Sequence, residues 1–197
     1  MDGPTTLLPG ATSKILHAIY QWGLVKQRGR YKHLMLDTLR QIFLAGQLHK
    51  HGFSMRLASY MFIMSQMYVV DEMKHWQRHE SLHFVDFLEC ICRVADVMDL
   101  PIKEHLLEDG YQSYHDFTEQ RKAAAEAAAA GKELPEKRGR GAAAGPPPPP
   151  RKEMGLHYKV KGFLNFFFES LHQTLQGDGA GIKYSHQSLL SMIKQAT

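Results

Sequence analysis

The chain has 197 residues, 44% of them hydrophobic and 22% charged, enough for one good-sized domain with appendages. No stretch approaches the roughly 18 to 20 uninterrupted apolar residues of a membrane span, and the start, MDGPTTLLPGATS, has neither the basic opening nor the apolar run of a secretion signal. The net charge of +4 is bipolar: residues 1–60 hold eight Lys/Arg against two Asp/Glu, residues 61–110 four against ten, and the remainder twelve against eight. Such a layout suits one half packing on the other, or on other proteins, better than tracking a phosphate backbone, so the expectation is a soluble intracellular protein with neither membrane nor nucleic acid as partner.

Thr12 or Ser13 is placed to cap a first helix carrying Ile15, Leu16, Ile19 and Tyr20, which the basic stretch KQRGR at 26–30 ends. A second helix is predicted from about Tyr31 to His49, with Leu34, Leu36, Leu39, Ile42, Phe43 and Leu48 as its apolar positions. His51-Gly52 breaks the chain, Ser54 caps the next element, and MRLASYMFIMSQMYVV reads as a central helix, apolar over most of its circumference. From Phe84 to Met98, apolar residues recur at steps of three and four (Phe84, Phe87, Leu88, Ile91, Val94, Ala95, Met98), which predicts a strongly amphipathic helix. The two cysteines, Cys90 and Cys92, lie two apart on it and point in different directions, so they neither bridge nor chelate and read as small core residues.

Pro101 suits the first turn of a polar helix through His105, Leu106 and Leu107, with Gly110 as its interruption. Beyond it, RKAAAEAAAAGKELPEKRGRGAAAGPPPPPRKE has almost no large apolar residue and cannot bury enough surface to offset the entropy of ordering. It reads as a linker, with the alanine run able to extend the preceding helix and Pro146 to Pro150 in polyproline II. Val160, Phe163, Leu164, Phe167, Phe168, Leu171 and Leu175 then predict another helix, followed by a GDGAG turn and a last short helix capped by Ser185. The fold class expected is all-α: a helical unit over 12–118, a linker over 119–156, and a C-terminal helical hairpin over 157–197 packing on the first unit.

Two places have the layout of a calcium-binding helix-loop-helix, whose 12-residue loop presents oxygen at positions 1, 3, 5, 7 and 9, Gly at 6 and Glu at 12, with a hydrophobe at 8 that pairs with its counterpart in a neighbouring loop. With Leu82 at position 8 the loop is His75 to Asp86, and its ligand positions read His75, Gln77, His79, Ser81, His83 and Asp86. One carboxylate, one amide and one hydroxyl do not satisfy a hard cation that wants roughly six to eight oxygens, so calcium is not expected to bind. A fainter second loop, Leu175 to His186, has Ile182 at position 8, and Leu82-His83-Phe84 and Ile182-Lys183-Tyr184 are expected to pair as a short antiparallel ladder.

LDTLRQIFLAGQL, FSMRLASYMFIMSQM and LHFVDFLECICRVAD together resemble the degenerate calmodulin-like helical modules of ciliary and flagellar axoneme proteins, in which a phrase like Phe-x-x-Phe-Leu-Glu-x-x-x-Arg-x-Ala closes a unit; here it is Phe84, Phe87, Leu88, Glu89, Arg93 and Ala95. The resemblance spans about residues 34–100 and, more weakly, 157–195. It implies a degenerate EF-hand-like docking or scaffold module in a large cytoskeletal assembly, with tubulin or axonemal subunits as partners and no catalytic residues to carry over.

The chemistry-bearing residues outside that pattern point to no enzyme. His75, His79 and His83 are four apart and would stack as metal ligands on a continuous helix, but they fall in the proposed loop, so no metal and no cofactor are expected. GDGAG lacks the strand and the Lys-Ser/Thr of a phosphate-binding loop. Phe166, Phe167 and Phe168 project over about 200 degrees of a helix, more than one buried stripe uses, which makes them candidate partner contacts as well as candidate core. Lys26, Arg28, Arg30 and Lys32 form a basic segment able to hold an acidic partner surface. The reading is a non-catalytic structural or docking protein; a calcium-responsive regulatory subunit and an RNA-binding adaptor using the basic N-terminal segment are the open alternatives.

Overall fold

A computed structural model describes residues 10–27, 32–66, 79–129, 155–176 and 185–196. These residues are mostly helical. In chain order they form α1 (Gly10–Lys26), β1 (Leu34–Met35), α2 (Leu36–Ala45), a 3-10 turn (Leu48–His51), α3 (Met55–Met64), β2 (Ser81–Leu82), α4 (Phe84–Met98), α5 (Lys103–Glu108), α6 (Tyr114–Ala129), α7 (Leu156–Gln176) and α8 (His186–Gln195). None of these helices is long and apolar enough to cross a membrane.

Local chemistry accounts for most boundaries. The Ser54 hydroxyl accepts the Leu57 N–H and that of Ser185 accepts the Ser188 N–H, each filling one of the donors a helix start leaves open. Asp86 reaches back to the His83 N–H at 3.0 Å and closes the start of α4 in the same way. Gly52 and Gly110 take positive φ, 85° and 81°, at the two breaks read from the sequence.

Four predicted elements come out differently. The second helix starts at Leu36, because residues 34–35 are drawn into a strand, and it stops at Ala45, because Gln47 turns left-handed with φ 57°. The first already includes its expected caps, Thr12 and Ser13, running from Gly10, and the polar helix after Pro101 runs from Lys103. The third is not a central one: Tyr60, Ile63 and Met64 are 57%, 61% and 46% exposed, so only the face carrying Ala58, Met61 and Phe62 is covered. Its apolar continuation past residue 66 lies outside the described residues. The alanine run does extend a helix, since α6 continues to Ala129.

All major elements share one core. The two-stranded ladder is antiparallel, with Leu34 opposite Leu82 and Met35 opposite Ser81. At the other end of α4, α7 lies along the helix and also against α2, while α8 packs on α1. Phe163, Phe166, Phe167, Phe168 and Leu171 are all buried. The close approach of α7 depends on two glycines. A Cβ on Gly162 would stand 2.3 Å from the Leu100 carbonyl oxygen, and one on Gly46 would stand 2.2 Å from the Phe167 ring. Ion pairs edge this seam, where Lys159 pairs with Asp96 (2.9 Å) and Asp99 (3.3 Å), Lys161 with Glu104 (3.3 Å), and Lys103 with Glu169.

Candidate functional site

The ladder joins residues 46 and 48 apart in sequence, and its polar groups are tied by side chains. Gln27, one residue past α1, donates from Nε2 to the His33 carbonyl (3.0 Å), while its Oε1 accepts from the Met35 N–H (2.8 Å) and from the Thr38 hydroxyl (3.0 Å). One amide thereby holds the strand lead-in, the strand and the first turn of α2 together. From the core side, the Tyr20 hydroxyl donates to the Leu82 carbonyl at 3.0 Å. Burial pushes the Tyr20 phenol above its ordinary pKa, so it remains a donor at any ordinary pH.

Aromatic rings close the site. Phe84 meets His17 edge-on at 5.0 Å and Tyr20 at 5.5 Å, and Phe87 lies 5.7 Å from Tyr20. Next to the Leu34–Leu82 rung, the His33 and His83 rings stack at 3.6 Å with planes 22° apart. Ring nitrogens point their lone pairs within the ring plane, so two stacked imidazoles send them along nearly parallel planes and do not converge on one cation. Asp86 is buried; its Oδ2 is engaged by the His83 N–H, and its Oδ1 has no hydrogen-bond partner among the described residues.

The structure redistributes the residues singled out in the sequence. Leu82 pairs with Leu34; Ile182 to Tyr184, its expected partners, lie outside the described residues, as do His75, Gln77 and the GDGAG turn. No group of three His, Cys, Asp or Glu among the described residues is arranged to hold a metal ion. Phe166, Phe167 and Phe168 are corrected from candidate partner contacts to core, 2%, 0% and 1% exposed. Three adjacent aromatics cover too much of the helix for one neighbour, and α7 has several: Phe167 stacks on Phe163 at 5.6 Å, whereas Phe166 turns to His51 (4.6 Å) and Tyr114 (5.8 Å). Lys26 and Lys32 are exposed on either side of the segment that joins α1 to β1; Arg28 and Arg30 lie outside the described residues. Cys90 is buried and its thiol is pushed up to about 12 by desolvation, which leaves it protonated and unreactive.

Sequence reasoning missed Gln27, Leu34 and Thr38. A signal was present: Thr38 follows Leu34 by four residues as Asp86 follows Leu82, and each leucine sits just before an amphipathic helix. Leu34 was instead absorbed into the helical period of the second helix.

A second polar cluster lies where α6 meets the 3-10 turn, between two open clefts of about 310 and 410 Å³ that share Lys50 and His51. The His51 Nδ1 is 2.7 Å from the Thr118 hydroxyl, which itself donates to the His115 carbonyl at 3.0 Å. A hydroxyl has one proton to give, so the neutral imidazole must be the Nδ1–H tautomer donating to Thr118. Desolvation, aided by His115, lowers His51 to about 4.

Comparison with protein-family models, with curated proteins and with solved structures finds no match to this chain.

Proposed function

We propose that this chain is a calcium-independent, EF-hand-like docking module that acts by binding other proteins without catalysis. What carries the reading is the bond between Gln27 and Thr38. Counting a 12-residue loop so that Leu34 stands at position 8, as Leu82 does in 75–86, places Gln27 at position 1 and Thr38 at position 12, the two ends of the oxygen cage a cation would gather. Here they hydrogen-bond to each other at 3.0 Å, and a neutral amide does the joining that a divalent ion does in a binding loop. The opposed leucines, the helices flanking each and the Asp86 carboxylate turned to its own helix start support the same reading. On this reading the loop that pairs with 75–86 is 27–38, through Leu34 opposite Leu82.

Titration calorimetry against calcium, alongside thermal unfolding in chelator and in millimolar calcium, tests this. No binding heat and an unchanged midpoint are expected; binding at micromolar calcium would replace it with the regulatory-subunit reading. Gln27→Ala is expected to cost about 1–2 kcal/mol, since three hydrogen bonds at a half-buried site lose their partner. The assembly served is, on the resemblance of residues 34–100, a ciliary or flagellar axoneme. Proximity labelling in a ciliated cell is expected to recover axonemal subunits or tubulin, and a set drawn wholly from elsewhere removes that placement.

A further inference from the structure

The contact between α7 and the rest of the chain has the anatomy of a protein–protein interface. Its centre is aromatic, with Phe163 and Phe167 fully buried, and its rim is ionic: lysines of α7 reach acids of α4 and of the α4–α5 region at Lys159–Asp96, Lys159–Asp99 and Lys161–Glu104. Beyond the centre, the Thr174 hydroxyl is 2.7 Å from the Ala45 carbonyl and accepts the Gln47 amide at 3.1 Å, which latches the far end of α7 to the end of α2. Register is set by close fit: Gly162 admits the Leu100 and Pro101 carbonyls, and Phe167 covers Gly46. Nothing in chain order demands this placement, since α5, α6 and the Ala/Pro-rich residues 130–154 intervene between α4 and α7.

We propose that the α2–α4 surface beneath α7 is a helix-receiving interface and that α7 is its built-in occupant. The partner it fits is an amphipathic helix with aromatic residues at the spacing of Phe163 and Phe167, a small residue just before the first, and lysines along the edge. A partner helix of that kind enters by displacing α7, against the high local concentration that covalent attachment to the same chain confers. This deepens the docking-module reading and rests on it, but the two fail separately. Calcium binding would leave the exchange described next unchanged, and a failed exchange would leave calcium independence unchanged.

The test uses the full chain with a protease site placed within residues 130–154, cut after folding, and a fluorescent peptide with the sequence of residues 155–197 as the probe. The cut halves are expected to co-elute with the helical circular dichroism of the uncut protein. The peptide is expected to enter the cut protein in competition with the native segment, and to bind the uncut protein at least about tenfold more weakly. The same peptide carrying Gly162→Val is expected to fail, because its side chain would meet backbone oxygen. Loss of helical signal or aggregation on cutting, no uptake of peptide by the cut protein, or equal uptake of the Gly162→Val peptide would each overturn the proposal.

Discussion

Helices α6 and α7 are of comparable length and flank the same low-complexity segment, yet they are held by different physics. Along α7, buried positions recur from Val160 to His172 on more than one face, and two glycines let neighbouring backbone and ring approach. Among the α6 residues whose side chains are described, only Tyr114 is buried; Phe117 meets Tyr111 edge-on, Thr118 meets His51 and Arg121 donates to the Met98 carbonyl at 3.1 Å, and past Arg121 the helix is sustained by alanine and by its own hydrogen bonds. The contrast separates the two sources of helical order, intrinsic preference and tertiary burial, within one chain. Preference alone gives marginal helices in water, whereas burial ties a helix to the cooperative stability of the whole.

Removing a ring from α7 should produce the largest effect. Phe167→Ala is expected to cost about 3–5 kcal/mol, measured as a shift in the urea midpoint with an unchanged slope, because it leaves a cavity opposite Gly46 in a fully buried site. A loss under about 1 kcal/mol would mean that α7 is not the burial-held member of the pair.

Acid should act next, and on the anchorage of α6. Unfolded, His51 titrates near its ordinary 6.5; folded, it titrates at about 4, so between these values the unfolded chain binds the extra proton. The stabilisation is complete above pH 6.5 and is lost as pH falls toward 4. Its ceiling is about 3 kcal/mol, and about 1–2 kcal/mol is the expected loss for a side chain that water partly reaches. The groups facing His51 are His115, Glu119, Lys50, His49, Thr118 and Phe166; His172, also lowered by burial, adds a contribution of the same sign from α7. Urea unfolding of the native chain and of His51→Gln at pH 7 and pH 4.5 checks this, the variant showing the smaller loss. Equal losses would mean that the imidazole does not couple α6 to the core.

The smallest effect belongs to the alanine-rich part of α6. Ala123→Gly is expected to lower global stability by no more than about 0.5 kcal/mol, although the intrinsic penalty is about 1 kcal/mol, because that turn can fray without unfolding the core. Faster amide exchange confined to residues near 123 is the matching local readout; a full 1 kcal/mol in the urea midpoint would show that the alanine turns share the global transition.

Much of this was legible from residue order. The steps of three and four in 84–98 and 160–171, the serine caps at 54 and 185, and the glycine breaks at 52 and 110 are local signals, and local geometry honours them. The leucine and acid four apart at 82 and 86 marked one half of the ladder. The other half was hidden because Leu34 is as good a member of a helical stripe as of a strand, and only the hydrogen bonds of Gln27 decide between them.

By itself, then, the sequence determined which segments are helical, where most of them stop, and which side chains need cover, since these depend on interactions within a few residues. Which surface provides that cover was decided by the tertiary structure alone: Leu34 set against Leu82, all three phenylalanines of 166–168 turned inward, and the Tyr60–Ile63–Met64 face of α3 left to solvent. Periodicity records that a face is apolar, but the partner of that face is set by shape and charge between segments far apart in the chain, which no local spacing encodes.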